Sequence, residues 1–318
     1  MHLAVYPPLL LPALAGLSAG PLARRLEPRL ATWLLTVAGL VLALAGTVAL
    51  GLLALAGLVR LPMLAGLDGY SPEVLAREDP AAWPAAAAGA VLLVLAASAT
   101  LRFTARRARA LWSAALDAAC LPGRDAVVVT EDRRADAYTV PGMPGRIVIS
   151  HGMLDALDPV GQDIILAHEK AHLDHHHYAF VALAQLSAAA NPFLRPLAAA
   201  VAFSVERWAD EDAARCTGDR RAVAETVARA AVATKRTSAG RLPDTALGAL
   251  GRRPAPGAVP RRVAALLRPA PRSPVHLLLI AGLLVAISTV CALDDAPFPA
   301  AAVAQLRQIA LVATERQT

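Results

Sequence analysis

Cysteine is scarce in this chain. Cys120, Cys216 and Cys291 are odd in number and widely spaced, which argues against a disulfide framework and against a cysteine-based zinc site. Lysine is scarcer still, with Lys170 and Lys235 alone, so arginine supplies nearly all of the positive charge behind the net +6. An Ala- and Arg-rich chain that avoids lysine suggests a GC-rich bacterial genome. Charged residues make up only 18% and aromatics 4% of the 318 residues, against 56% hydrophobic. With a mean hydropathy of +0.49, that balance excludes an ordinary soluble globular domain and indicates a membrane protein with a soluble portion. No internal repeat is evident.

What the chain does have is long uncharged runs. Four are long enough to cross a bilayer: Leu3–Ala23, Ala31–Val59, Ala81–Leu101 and Ser273–Leu293. The first carries Pro7, Pro8 and Pro12 and lacks a basic start, so it is expected to be a retained span rather than a signal peptide. Arginine placement sets the direction. Arg24, Arg25 and Arg29 separate spans one and two, and Arg102, Arg106, Arg107 and Arg109 follow span three. Arg252, Arg253, Arg261, Arg262, Arg268 and Arg272 precede span four. The loop from Arg60 to Pro80 and the segment after Leu293 carry acids instead. The expectation is a multi-pass cell-membrane protein with its N-terminus outside, residues 102–272 in the cytoplasm and the tail 294–318 outside. The arginines are thus explained by positive-inside sorting, with the lipid bilayer as partner and no direct nucleic-acid contact.

Within residues 102–272 the pattern changes. "AVVVT", "DAYTV" and "RIVIS" are short β-branched runs split by "EDRRA" and "PGMPG", which predicts three strands in a small antiparallel meander. Asp158 then stands as an N-cap before Pro159 at the start of a helix. A second helix is predicted through "SVERWADEDAARC" and a third, after Gly218, through "RRAVAETVARAAVATKR". Residues 236–260, rich in Gly, Pro and Arg, form a connector.

The first of those helices holds five of the chain's eight histidines, within "HEKAHLDHHH". His168-Glu169-Lys170-Ala171-His172 is HExxH. Residues four apart share a helical face, so His168 and His172 can reach one ion while Glu169 sits beside them as a general base. Zinc needs a third protein ligand and an open position. Glu206-Arg207-Trp208-Ala209-Asp210-Glu211-Asp212-Ala213 supplies ExxxDxxA on the next helix: Glu206 completes a His-His-Glu set, and Asp210 can orient a liganding imidazole. The proposed chemistry is peptide hydrolysis, in which zinc polarises the scissile carbonyl and its water while Glu169 takes the proton. Strand Arg146–Ser150 is expected to pair with the extended substrate. The neighbouring His175, His176 and His177 are expected to be solvated or interfacial, His151 and His276 have no partner visible in sequence, and Glu211 and Asp212 read as a solvated face.

HExxH with ExxxDxxA between spans three and four resembles the BlaR/MecR family of integral membrane zinc metallopeptidases. The likeness extends over residues 1–293 and includes "DAYTVPGMPGRIVISHGMLDAL", Asn191-Pro192-Phe193 and "RRVAALL" at Arg261. It is similar, more weakly, to HtpX-type membrane proteases, which share both motifs but place spans after the zinc helix. Here the apolar run Tyr178–Val205 is interrupted at Asn191-Pro192 and Arg195, so a shallow membrane-associated hairpin is expected. The resemblance implies an α-helical membrane protein with four transmembrane helices and a cytoplasmic α+β zincin-like (gluzincin) protease domain.

In the antibiotic sensors of that family a penicillin-binding domain follows span four. Here residues 294–318 follow, and neither lysine lies in a Ser-x-x-Lys motif, so direct covalent sensing of a β-lactam is not expected. The implied activity is a zinc endopeptidase cleaving a BlaI/MecI-like transcriptional repressor, itself, or both. Two other readings stand beside it: an HtpX-like quality-control protease, and a zinc-stabilised membrane adaptor that hydrolyses nothing.

Overall fold

Long apolar runs with few helix breakers become long helices. A computed structural model of the chain describes residues 6–58, 82–120, 126–142, 145–237, 257–270 and Gly282. Helices α1 (Tyr6–Arg25), α2 (Pro28–Leu58) and α3 (Ala82–Cys120) follow the first three apolar runs, and α3 continues unbroken past Leu101. Two stretches, Pro28–Leu55 and Trp83–Leu116, are long and apolar enough to cross a membrane, with hydropathies of 2.4 and 1.9. On α3, Val91, Leu92, Val94, Leu95 and Leu101 are all more than half exposed. A helix in a water-soluble core buries such a stripe, whereas a lipid-facing helix displays it. Apart from Gly282, the predicted fourth span lies outside the described residues, as do the loop 60–80, most of the connector and the tail.

Strands β1 (Val127–Thr130), β2 (Ala137–Val140) and β3 (Arg146–Ser150) form where the sequence places them, but not as an antiparallel meander. The order is β1-β3-β2, with β3 antiparallel to β2 and parallel to β1. Burial explains the arrangement: Ile147, Val148, Ile149 and Ser150 are all buried, which suits the central strand, whereas Val127 and Val129 are partly exposed, as an edge permits. The link from β1 to β2 therefore passes around the end of β3. Ser150 Oγ receives the Asp136 N–H at 2.9 Å and donates to the Arg134 carbonyl, while the Gly152 N–H donates to the Asp132 carbonyl at 3.0 Å. Only glycine fits at 152, because a Cβ there would lie 2.1 Å from the Arg133 carbonyl oxygen. A central β3 also has no free edge, so it cannot receive a substrate strand as expected from sequence. Among the described residues, β2 is the edge strand on the side of the zinc motif, where Thr139 meets Glu169.

The remaining helices build the site. α4 (His151–Ala156) leads into α5 (Pro159–Asp174), whose Asp158 cap accepts from the Gly161 N–H at 2.8 Å with Pro159 next in line. α6 (His177–Ala190) and α7 (Arg195–Thr217) form a helical hairpin through a short 3₁₀ turn, Pro192–Leu194. α7 ends at Gly218 in the left-handed conformation, φ 72°. α8 (Arg220–Thr237) and α9 (Ala258–Leu266) close the back. One apolar cluster joins Ala19 and Ala23 of α1, Leu35 and Leu42 of α2, Phe180 and Ala184 of α6, and Leu197, Val201 and Trp208 of α7. The hairpin thus packs on the first two helices. Arg207, buried on α7, donates to the Ala23 carbonyl at 2.6 Å, where α1 has run out of partners for its carbonyls.

Candidate metal centre

The α5 spacing puts His168 and His172 on one face, and α7 crosses that face. Nε2 of His168 and Nε2 of His172 lie 3.2 Å apart. Glu206 brings Oε2 within 3.7 Å of the first and Oε1 within 3.8 Å of the second. Zinc–nitrogen bonds of 2.0–2.1 Å in a tetrahedron hold donors about 3.4 Å apart, so two imidazoles and a carboxylate at these separations fit zinc. Both rings have a partner on the far nitrogen. Asp210 Oδ1 is 3.1 Å from His168 Nδ1, and His177 Nδ1 is 3.0 Å from His172 Nδ1.

The sequence places His168, His172, Glu169, Glu206 and Asp210 in one site, and the structure brings all five together. Glu169 is buried beside the pair, and the Thr139 hydroxyl on β2 donates to its Oε2 at 2.7 Å. Glu211 and Asp212 are not a free solvated face. Glu211 pairs with Arg220, and Asp212 pairs with Arg215 and, at 2.6 Å, with His175. His176 takes a left-handed turn, φ 52°, which histidine tolerates better than most residues. That turn reverses the chain so that His177 points inward. At 1% exposure it is not solvated, and of the solvated or interfacial positions expected for it only a packed one remains.

Sequence reasoning missed Arg262. From α9 its guanidinium meets Asp210 at 2.7 and 2.6 Å and Glu206 at 2.8 Å. Burial lowers a guanidinium's pKa, but these carboxylates outweigh it and hold Arg262 above its usual range. A signal was present: Arg262 lies on the apolar face of α9, one turn before buried Leu266 and one after Val259. Burial also works against charge on Glu206, yet Arg262 and the imidazoles hold its carboxyl well below the usual carboxylate range. Asp210 is held low in the same way. Burial lowers His172, and on His168 burial is outweighed by the facing carboxylates of Asp210 and Glu206, which raise it to about 9. Two carboxylates facing one guanidinium leave the His168–His172–Glu206 pocket attractive to a cation.

Residues 103–238 match the family described as Peptidase family M48. The matched segment contains both zinc motifs and all five predicted site residues, and it supports a zinc metallopeptidase of that family, but it does not carry the BlaR/MecR type. No curated protein and no solved structure matches the chain.

Proposed function

We propose that the chain is a membrane-associated zinc endopeptidase acting on a protein at the cytoplasmic face. Its substrate would be a BlaI/MecI-like transcriptional repressor, itself, or both. The observation that carries this reading is Glu169. A carboxylate held by Thr139 beside two convergent imidazoles serves hydrolysis, whereas a structural zinc site has no use for a base. His168, His172 and Glu206 would hold zinc, which when bound supplies a Lewis acid for the carbonyl and the attacking water. Glu169 takes the water's proton and passes it to the leaving amine. The outer side of β2, an edge strand among the described residues, would carry an extended substrate past Glu169.

One observation favours the HtpX-like quality-control reading as second. The match to Peptidase family M48 supports a zinc metallopeptidase without carrying the BlaR/MecR type, and a membrane protease of the HtpX kind fits that match as well.

Glu169→Gln is the test. Zinc content and fold should persist, while cleavage of the substrate falls by at least about a hundredfold. A Gln variant that signals normally with zinc in place would transfer the function to a non-catalytic adaptor.

A further inference from the structure

We infer that His177 is the positioning residue for the metal donor His172, an inference that rests on the zinc-site reading above. A neutral imidazole carries one proton, and the nitrogen without it is the one that can bind a metal. His172 turns Nε2 toward His168 and Glu206, at 3.2 and 3.8 Å, so its proton belongs on Nδ1. The atom facing Nδ1 is His177 Nδ1, at 3.0 Å, with the two rings nearly perpendicular at 82°. His172 therefore donates and His177 accepts, which assigns the His177 proton to its own Nε2. That atom is buried, with no hydrogen-bond partner among the described residues.

The two donors thus have unlike supports. His168 leans on the carboxylate of Asp210, which also carries Arg262. His172 leans on an imidazole fixed by packing: the His177 ring lies 4.7 Å from the Trp208 ring, over which the Arg29 guanidinium also sits, 5.6 Å from its centroid. Partners of this kind hold a ligand ring in its binding tautomer and orientation. The left-handed turn at His176 brings this ring to His172, five residues along.

Full-length protein in detergent, stripped of metal, is titrated with Zn²⁺ against a chromophoric chelator and separately with Co²⁺ for its visible absorption. Leu and Asn have nearly the same shape, and only Asn places an acceptor where His177 Nδ1 stands. His177→Leu should weaken Zn²⁺ binding by about ten- to a hundredfold and alter the Co²⁺ bands, while His177→Asn should recover most of the loss. His177→Phe keeps ring contact with Trp208 without an acceptor, and replaces the Leu variant should that one not fold. If the acceptor-free variants bind as the wild type does, or if they and the Asn variant weaken equally, the inference is overturned. His172→Ala separates the two readings. Wild type that binds Zn²⁺ when His172→Ala does not leaves the metal site standing whatever His177 does, whereas wild type that binds none sinks both.

Discussion

Arg262 and Asp210 form a two-point ion pair inside the protein, at 2.7 and 2.6 Å, with the Asp210 side chain 2% exposed. Arg262 comes from the helix just before the predicted fourth span, and Asp210 supports the first histidine of the zinc motif. Removing one partner of a buried pair leaves the other charged and without compensation. Arg262→Ala should therefore destabilise the metal-free protein by about 3–5 kcal/mol, as seen in thermal unfolding in detergent. Zinc should restore more of the melting temperature in this variant than in wild type, because the ion replaces the lost cation beside Glu206 and Asp210. Equal zinc-induced shifts in the two proteins would show that Arg262 does not balance the site's charge.

The ligand set gives a second expectation. Purified protein should hold about one zinc per chain by atomic absorption. His168→Ala, His172→Ala and Glu206→Ala should each empty the site. Glu211→Ala should leave it full, since Glu211 faces Arg220 and lies outside the His-His-Glu group. The reverse result for the two glutamates would reassign the third donor.

Asp136 opens β2. Burial first, then the nearby Glu169 and Asp132 carboxylates, push its carboxyl up to about 6, against a hydrogen bond from the Ala137 N–H. The folded chain thus keeps a proton that the unfolded chain, titrating near 3.8, has already lost. Stability from this group falls as pH rises through that interval and stays low above it. Asp136→Asn, compared with wild type in chelator, should show little difference in stability below pH 3.8 and a gain at neutral pH. A gain of the same size at both pH values would mean that the benefit is not electrostatic.

Orientation is the fourth test. The arginine-rich corner between α1 and α2 lies on the same side as the metal centre, because Arg29 covers Trp208 and Arg207 holds the end of α1. Positive-inside sorting of that corner would put both in the cytoplasm, as proposed. A reporter fused after Thr237 should behave as cytoplasmic and one after Pro299 as external. The inverted pair of signals would place the site outside the cell.

Local signals made much of this legible. Strand positions, the Asp158 cap and the two zinc motifs depend on residues within a turn or two of each other, and they appear where the sequence puts them. Pairing was harder, because nothing in "AVVVT" or "RIVIS" states that the third strand will insert between the first two. That depends on Gly152 and Ser150 receiving the crossing link, a contact visible only in three dimensions. The supports of the site are also distant or disguised. Thr139 precedes Glu169 by 30 residues, and Arg262 stands in a run of arginines that reads from sequence as a topology signal. His177 looked like one of three equivalent histidines until the turn at His176 set it apart.

Arg207 and Glu206 are consecutive residues on one helix, and their side chains leave it in different directions. One reaches into the metal pocket. The other grips the Ala23 carbonyl in the last turn of α1 and the Leu26 carbonyl just past its end. The seating of the first helix and the placement of a candidate metal donor thus depend on a single peptide unit, which works as a fulcrum between the N-terminal helices and the His168–His172–Glu206 group. Excising residues 103–238 as a soluble fragment would remove the far arm of that lever. It would strand a buried guanidinium and bare the apolar flank of Leu197, Val201 and Trp208.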